Sequence, residues 1–188
     1  ARCGWGELVE VLDTVYTPSQ PRLEEVCPVN TFYHGDCLFV MNHDIPPNSI
    51  DLIYLDPPFF TGKIQKGREK WRPDAMEISF EDSKKFWASK GIHEHAPAWL
   101  KEVAGTRADF ASYLYYLNVR LEACYKVLKP TGSLYLHCDW RASHYLKLIL
   151  DTIFGAKNFR NEIVWQRDSA GKGGKKTSGK FSREADSI

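Results

Sequence analysis

Four consecutive residues, Asp56-Pro57-Pro58-Phe59, carry groups that could hold an amine nitrogen. The Asp56 carboxylate and the Pro57 carbonyl are acceptors, and each could take one N–H of the exocyclic amine of a nucleobase. Two such contacts would draw the nitrogen towards a tetrahedral shape and localise its lone pair for attack on an electrophile. The prolines fix φ and pre-place these acceptors, and Phe59 could stack on the base. The segment therefore predicts chemistry at an amine.

The position of this segment favours a functional reading over a plain strand end followed by a rigid turn. It follows residues 50–55 (IDLIYL), a run that is nearly all apolar and β-prone. Such a run fits a strand covered on both faces of a parallel sheet. Ligands gather at the carboxyl ends of strands in open α/β sheets. We therefore expect the four residues to lie at a ligand-binding edge.

Other segments of the chain show helix or strand patterns and would form the elements that position that edge. Together they predict an α/β fold. The clearest is a helix over 109–129, whose apolar residues recur at spacings of three and four. In chain order we predict a β-prone run at 31–34, a helix at 37–42, a strand at 50–55, an irregular stretch at 56–107, the helix at 109–129, a strand at 133–138, a helix at 142–154 and a strand at 162–166. Alternating strands and helices indicate a parallel sheet with right-handed crossovers.

Composition excludes several classes of protein. The formal net charge is +1, so any nucleic-acid footprint must be local. Five scattered cysteines without a C-x-x-C pair indicate reduced thiols in a cytoplasm rather than disulfides or a zinc site. The sequence contains no signal peptide and no apolar run long enough for a membrane span. Neighbours on a strand point to opposite faces, so His137-Cys138-Asp139 does not predict a metal site, and we expect no metal.

Several short segments within residues 31–188 match the motifs of a known protein family, in the same order along the chain. They are 35–38 (GDCL), 48–60 (NSIDLIYLDPPFF), 120–139 (RLEACYKVLKPTGSLYLHCD), 142–147 (ASHYLK) and 158–165 (NFRNEIVW). Together they resemble the DNA adenine-N6/cytosine-N4 methyltransferases of the β arrangement, a restriction-modification family with permuted motif order. The resemblance implies a Rossmann-like methyltransferase sheet, of which this chain would hold a part, and S-adenosyl-L-methionine as cofactor.

The resemblance also implies roles for individual residues. Asp56, Pro57, Pro58 and Phe59 would be catalytic, with Asp56 near both the donor methyl and the target amine. Asp36 would lie in the cofactor pocket near the adenine of S-adenosylmethionine, although a Gly-Asp pair could equally cap helix 37–42, and both roles could hold. Aspartate at the first position of the catalytic motif favours adenine N6, and cytosine N4 is the alternative.

The expected partners follow from the same resemblance. They are DNA, a restriction nuclease and, for the full-length enzyme, a second copy, in the cytoplasm of a prokaryote or phage-infected cell. Residues 167–184 are polar and contain a basic run that could contact phosphates or be a solvated linker. The run comprises Lys172, Lys175, Lys176, Lys180 and Arg183. Three tryptophans within 64–106 could brace DNA or anchor a loop, and anchoring is favoured.

One part of the family pattern is missing, which predicts a partial enzyme. The glycine-rich cofactor loop comes late in this arrangement, and neither Gly4-Trp5-Gly6 nor 171–174 (GKGG) has the required context. We therefore divide the chain into a lead-in (1–30), a partial catalytic domain (31–166) and the start of a target-recognition region (167–188). We expect weak or no cofactor binding by this chain alone. Other methyl acceptors, RNA or protein amides, and an inactive fragment are the alternatives.

Overall fold

Helices and short strands alternate along the computed structural model, which describes residues 30–67, 78–166 and 185–188. The elements in chain order are α1 (Cys37–His43), β1 (Ile50–Leu55), β2 (Ile64–Gly67), β3 (Ile78–Glu81), α2 (Lys84–Ser89), α3 (Ala98–Ala104), α4 (Ala108–Val127), β4 (Leu128–Leu136), α5 (Ser143–Leu150), β5 (Val164–Gln166) and β6 (Ala185–Ser187). The predicted α/β class is confirmed, as are the predicted positions of α1, β1, α4 and α5.

The pair of strands that positions the site is β1 with β4, which run parallel. Leu52 to Leu55 pair in register with Ser133 to Leu136, while Ile50 pairs with Leu128 across an irregularity. A Cβ on Gly132 would lie 2.8 Å from the Leu128 side chain and 3.0 Å from the Ile50 carbonyl. Only glycine therefore allows the chain leaving α4 to pass this close to β1.

The strand after α4 begins earlier than the sequence indicates. We predicted a strand at 133–138 preceded by a stop at 129–132, yet β4 starts at Leu128 directly after the helix. The expectation that a strand at 162–166 joins the same parallel sheet is also wrong. β5 pairs antiparallel with β6, and the link to the end of β4 is a bridge between Cys138 and Ser187. Local propensity identifies a strand but not its partner, which explains both differences.

The core forms around α4, which is buried on most of its surface. Phe110, Leu114, Leu117 and Leu121 are almost fully buried, as the periodicity predicts. Residues from α3 and α5 complete the same cluster, including Leu100, Leu146 and Ile149. Burying such side chains contributes about 2 kcal/mol each, so α4 is the support on which the neighbouring loops rest.

β1 is not covered on both faces, contrary to the sequence prediction. Leu55 packs against the core, whereas Leu52 and Tyr54 are exposed by more than half. Alternate residues of a strand point to opposite faces, so one face of β1 meets the core and the other faces outward. An apolar run is compatible with either arrangement, because the sequence does not state what lies against it.

The described parts of the stretch between β1 and α4, residues 56–67 and 78–107, contain regular elements, contrary to the prediction of an irregular stretch. β2 and β3 pair antiparallel, and α2, a 3₁₀ turn at Ile92–His95 and α3 follow. These elements are short and carry many charges, which hides their periodicity from sequence reading. Residues 31–34, which the sequence indicates as a β-prone run, form no strand in the structure and are exposed.

Within 30–67, 78–166 and 185–188, no helix has the length and hydropathy of a membrane span.

Candidate active site

The loop that follows β1 is fixed to α4 and to the core. The Tyr113 hydroxyl donates a hydrogen bond of 2.8 Å to the Pro58 carbonyl oxygen. The Phe60 ring is buried, with its centre 5.1 Å from the ring centres of Phe110 and Tyr113. Phe60 has a φ of 54°, a left-handed conformation that disfavours a non-glycine residue by about 1–2 kcal/mol. Burial of the ring offsets this strain and gives the loop a defined shape.

A buried carboxylate holds the far end of the same loop. Asp82 accepts hydrogen bonds from the Thr61 backbone amide at 2.6 Å and from the Thr61 hydroxyl at 2.8 Å. Its other oxygen accepts one from Trp87 Nε1 at 2.8 Å. Trp87 is buried and Trp99 packs against the core, so the prediction of anchoring tryptophans is confirmed for both. Trp71 lies outside the described residues.

With its neighbours fixed, the front of the loop presents two acceptors. The Asp56 side chain is 63% exposed. Among residues 30–67, 78–166 and 185–188, no backbone donor is hydrogen-bonded to the Pro57 carbonyl. Both acceptors sit directly beyond the carboxyl end of β1, as the sequence predicts. The arrangement can therefore take two N–H groups from a ligand without breaking a described protein contact.

His137 lies at the neighbouring strand end and contacts this loop from the side. Its backbone amide donates to the Leu55 carbonyl at 2.8 Å, which continues the pairing of β1 with β4. Its Nδ1 is 3.3 Å from Asp56 Oδ1, and its Nε2 is 3.6 Å from Asp186 Oδ2. The Phe59 ring meets the imidazole edge-to-face at 5.0 Å. The imidazole thus links the two acidic side chains and one aromatic ring.

Asp36 lies at the start of α1, where it has two structural roles. Its Oδ1 accepts a hydrogen bond of 2.9 Å from the Leu38 amide, which confirms the predicted helix cap. Arg120 of α4 also donates to both carboxylate oxygens, at 2.8 and 2.7 Å. The Arg120 side chain is largely buried and stacks on Tyr116, while Asp36 is partly exposed. This ion pair fixes α1 against α4.

Burial sets the protonation state of groups near the loop. Desolvation, with smaller contributions from Asp82 and Cys138, raises the pKa of Tyr113 far above its ordinary value. The hydroxyl therefore stays protonated and remains a donor to Pro58. Burial, together with Glu162 and Asp186, raises the pKa of Cys138 to about 11. Cys138 is therefore a neutral thiol near pH 7 and is unsuited to act as a nucleophile.

Sequence reasoning found the acceptors of the site but missed most of its supports. Tyr113, Asp82 and Arg120 had no assigned role, and His137 was considered only as a metal ligand, which its place on a strand argued against. One signal was available, because Tyr113 falls beside Phe110 and Leu114 on a helix predicted to be buried. The basic run of the predicted DNA contact lies outside the described residues. It comprises Lys172, Lys175, Lys176, Lys180 and Arg183.

Known proteins resemble this chain over most of its length. The N6/N4 DNA methylase family matches residues 50–188, which include the loop after β1, β4 and β6. The Mod subunit of the type III restriction-modification enzyme StyLTI from Salmonella typhimurium is 31% identical over 143 residues, covering 73% of this chain and 20% of that protein. The DNA adenine methyltransferase YhdJ from Escherichia coli is 30% identical over 150 residues, covering 79% of this chain and 37% of that protein.

The type II methyltransferase M.KpnI from Klebsiella pneumoniae is 28% identical over 169 residues, covering 86% of this chain and 33% of that protein. The chain thus spans about a fifth to about a third of the length of these relatives. The family match extends over most of the chain and includes the loop that presents Asp56 and Pro57. The chain belongs to the N6/N4 DNA methylase family.

Proposed function

We propose that this chain is the catalytic part of an S-adenosylmethionine-dependent DNA methyltransferase that modifies the exocyclic amine of a flipped base, adenine N6. The observation that carries the proposal is the loop after β1. The Asp56 side chain is exposed there beside Pro57, while Tyr113 holds Pro58 and the core holds Phe60. A rigid pair of acceptors is what an amine needs in order to be oriented before attack.

The chemistry of the acceptors gives the order of events. The Asp56 carboxylate and the Pro57 carbonyl each accept one N–H of the target amine, which localises the nitrogen lone pair. S-adenosylmethionine would supply an electrophilic methyl group, which would pass from its sulfonium sulfur to the nitrogen and leave a neutral thioether. The nitrogen would then carry a positive charge, and Asp56 would be the adjacent acceptor for the proton that it loses.

Asp36 has the capacity that a cofactor contact requires. An ionised carboxylate offers about four acceptor positions, and Leu38 and Arg120 occupy three through the hydrogen bonds they donate. The remaining position lies on a partly exposed side chain that Arg120 holds in place. The described residues therefore fit a hydrogen bond to the nucleoside part of S-adenosylmethionine, which supplies the electrophilic methyl when bound. A Rossmann-like sheet around β1 and β4 is part of this proposal.

DNA and adenine are proposed as substrate and target for three reasons. The family is that of DNA methylases, one relative is a DNA adenine methyltransferase, and the motif begins with aspartate. The exocyclic amine of a base inside a duplex is paired and stacked, so the base must be flipped out to reach Asp56 and Pro57. Phe59 is half-buried beside His137, where it can still stack on such a base. Contact of the basic run 172–183 with phosphates, a nuclease partner, a homodimer and a cytoplasmic setting remain predictions.

The test is Asp56→Asn and Asp56→Ala in the whole protein that contains this chain. Transfer of labelled methyl from S-adenosylmethionine to duplex DNA is followed by nucleoside analysis. We expect each substitution to lower the rate at least about 100-fold, since an oriented acceptor is lost. Asp51→Asn is the matched control, because Asp51 lies on the strand that leads into Asp56 and contacts Lys129 at the surface. Unchanged transfer by Asp56→Ala would refute the role of Asp56, and N4-methylcytosine as the product would refute adenine.

A further inference from the structure

His137 lies beside the proposed catalytic carboxylate, with Nδ1 3.3 Å from Asp56 Oδ1. This distance is just beyond the usual range for a hydrogen bond and is a close polar contact. Only 18% of the His137 side chain is exposed, against 63% for Asp56. An exposed aspartate can rotate between several positions, whereas the enclosed imidazole cannot. The contact therefore restricts Asp56 through a group that is itself fixed.

Three strand ends fix the imidazole in turn. The His137 amide donates to Leu55 at 2.8 Å, and the next residue, Cys138, exchanges two hydrogen bonds with Ser187 at 2.8 and 2.9 Å. These contacts bring β6 beside β4 and place Asp186 against the other side of the ring. Asp186 Oδ2 is 3.6 Å from Nε2, which is a close polar contact rather than a hydrogen bond, and the Asp186 side chain is only 5% exposed. Within the described residues Nε2 has no hydrogen-bond partner, so Asp186 restricts the imidazole by close packing.

The resulting order of groups is Asp186, His137, Asp56 and then the target amine. Holding Oδ1 of Asp56 on the imidazole leaves its other oxygen to accept the amine N–H. An ordinary surface ion pair contributes little because both partners stay mobile and solvated. Here two of the three side chains are enclosed, and Phe59 closes another side of the imidazole at 5.0 Å. The arrangement therefore serves orientation rather than surface charge pairing.

We propose that His137 is a positioning residue that orients the Asp56 carboxylate for the amine, with Asp186 fixing the imidazole from behind. This inference rests on the proposed function and deepens it. Neither His137 nor Asp186 contacts the reacting atoms in this proposal. Their effect passes through Asp56, so it concerns the rate of methyl transfer and not the binding of DNA or cofactor.

The experiment compares His137→Leu with His137→Asn in the whole protein. Leucine has no donor, whereas the asparagine amide places an N–H close to the position of Nδ1. We expect His137→Leu to lower kcat about 10- to 100-fold, as displacement of an oriented group does, with little change in KM for DNA or S-adenosylmethionine. His137→Asn should recover at least a third of the wild-type kcat. His95→Leu and His95→Asn, at an exposed histidine in the 3₁₀ turn, are the matched controls.

A double-mutant cycle tests the link to Asp186. Asp186→Ala alone should lower kcat several-fold, and adding it to His137→Leu should have no further effect, because coupled residues are not additive. The proposal is overturned if His137→Leu keeps the wild-type kcat, if only KM changes, or if the effects of the two substitutions on kcat multiply. If His137→Leu does not fold, the test uses His137→Asn and Asp186→Ala. The proposal is then overturned if Asp186→Ala keeps the wild-type kcat or if only KM changes in these two variants. Absence of methyl transfer by the wild-type protein would instead refute the proposed function.

Discussion

At the scale of single residues, the hydrogen bond from Tyr113 holds the loop at Pro58, the residue next to the proposed acceptor Pro57. Two prolines restrict φ but leave ψ free, so the sequence motif alone does not orient its carbonyls. The hydroxyl of Tyr113 fixes one of them at 2.8 Å. Because burial raises the pKa of Tyr113, this donor is retained throughout the neutral and mildly alkaline range. The motif therefore depends on a side chain from α4.

Tyr113→Phe removes that donor while keeping the ring in the core. We expect a loss of about 1–2 kcal/mol in the free energy of unfolding, because the partly buried Pro58 carbonyl loses its partner. We also expect methyl transfer to fall about tenfold, since the loop that carries Pro57 is no longer held at Pro58. Urea unfolding and single-turnover transfer measure the two effects. Tyr125→Phe is the control at an exposed tyrosine, and equal effects of both substitutions would contradict the role of Tyr113.

At the scale of elements, the ion pair between Asp36 and Arg120 joins α1 to α4. α1 is short and has no fully buried residue, so it makes few apolar contacts of its own. Helices of this length are not stable in isolation. The helix cap and the ion pair supply the missing constraint, and both use the same carboxylate. The position of Asp36, and with it the proposed cofactor contact, is therefore set by a residue on another helix.

Arg120→Met keeps the apolar stem of the side chain and removes its charge. We expect a loss of about 1–3 kcal/mol in the free energy of unfolding, the usual value for hydrogen bonds to a charged group. Lys129→Met removes the partner of exposed Asp51 and should cost less than about 1 kcal/mol. Chemical denaturation compares the two variants. Similar losses would show that the Arg120 pair stabilises no more than a surface pair does. In the whole protein, Arg120→Met should also weaken binding of S-adenosylmethionine.

At the scale of the whole molecule, the described residues provide one side of the proposed site. In the proposed function Asp56 and Pro57 would accept the target amine, and Asp36, which is partly exposed, would offer one acceptor to the cofactor. Within residues 30–67, 78–166 and 185–188, no glycine-rich loop follows a strand in the family pattern. Affinity for a ligand depends on how much of its surface is enclosed. A single side of a site therefore orients a reacting group better than it retains a cofactor.

The corresponding prediction concerns residues 1–188 as an isolated protein. We expect its dissociation constant for S-adenosylmethionine to exceed about 100 µM, equivalent to less than about 5.5 kcal/mol of binding free energy. Calorimetric titration measures this value directly. The same titration of the whole protein that contains the chain is the comparison. A low-micromolar dissociation constant for residues 1–188 would contradict the prediction and show that these residues enclose the cofactor.

What the sequence determined by itself are the features that depend on neighbours along the chain. The helix periodicity of α4, the apolar run of β1, the Asp36 cap and the Asp-Pro-Pro-Phe segment were all predicted. These features could be predicted because residues a few positions apart in the chain lie on the same helix or strand and often on the same face of it. The family resemblance also depends on such local segments, and the family match over residues 50–188 agrees with it.

Tertiary structure alone decided which distant residues meet at the site. Tyr113 reaches Pro58 across 55 positions, and Arg120 reaches Asp36 across 84. The parallel pairing of β1 with β4 brings His137 to Asp56, and the antiparallel β6 brings Asp186 to His137. No local pattern encodes these contacts, because they depend on how the elements pack and on which strands pair. The sequence therefore predicts which residues supply the acceptors of the site, whereas the fold decides how those acceptors are oriented.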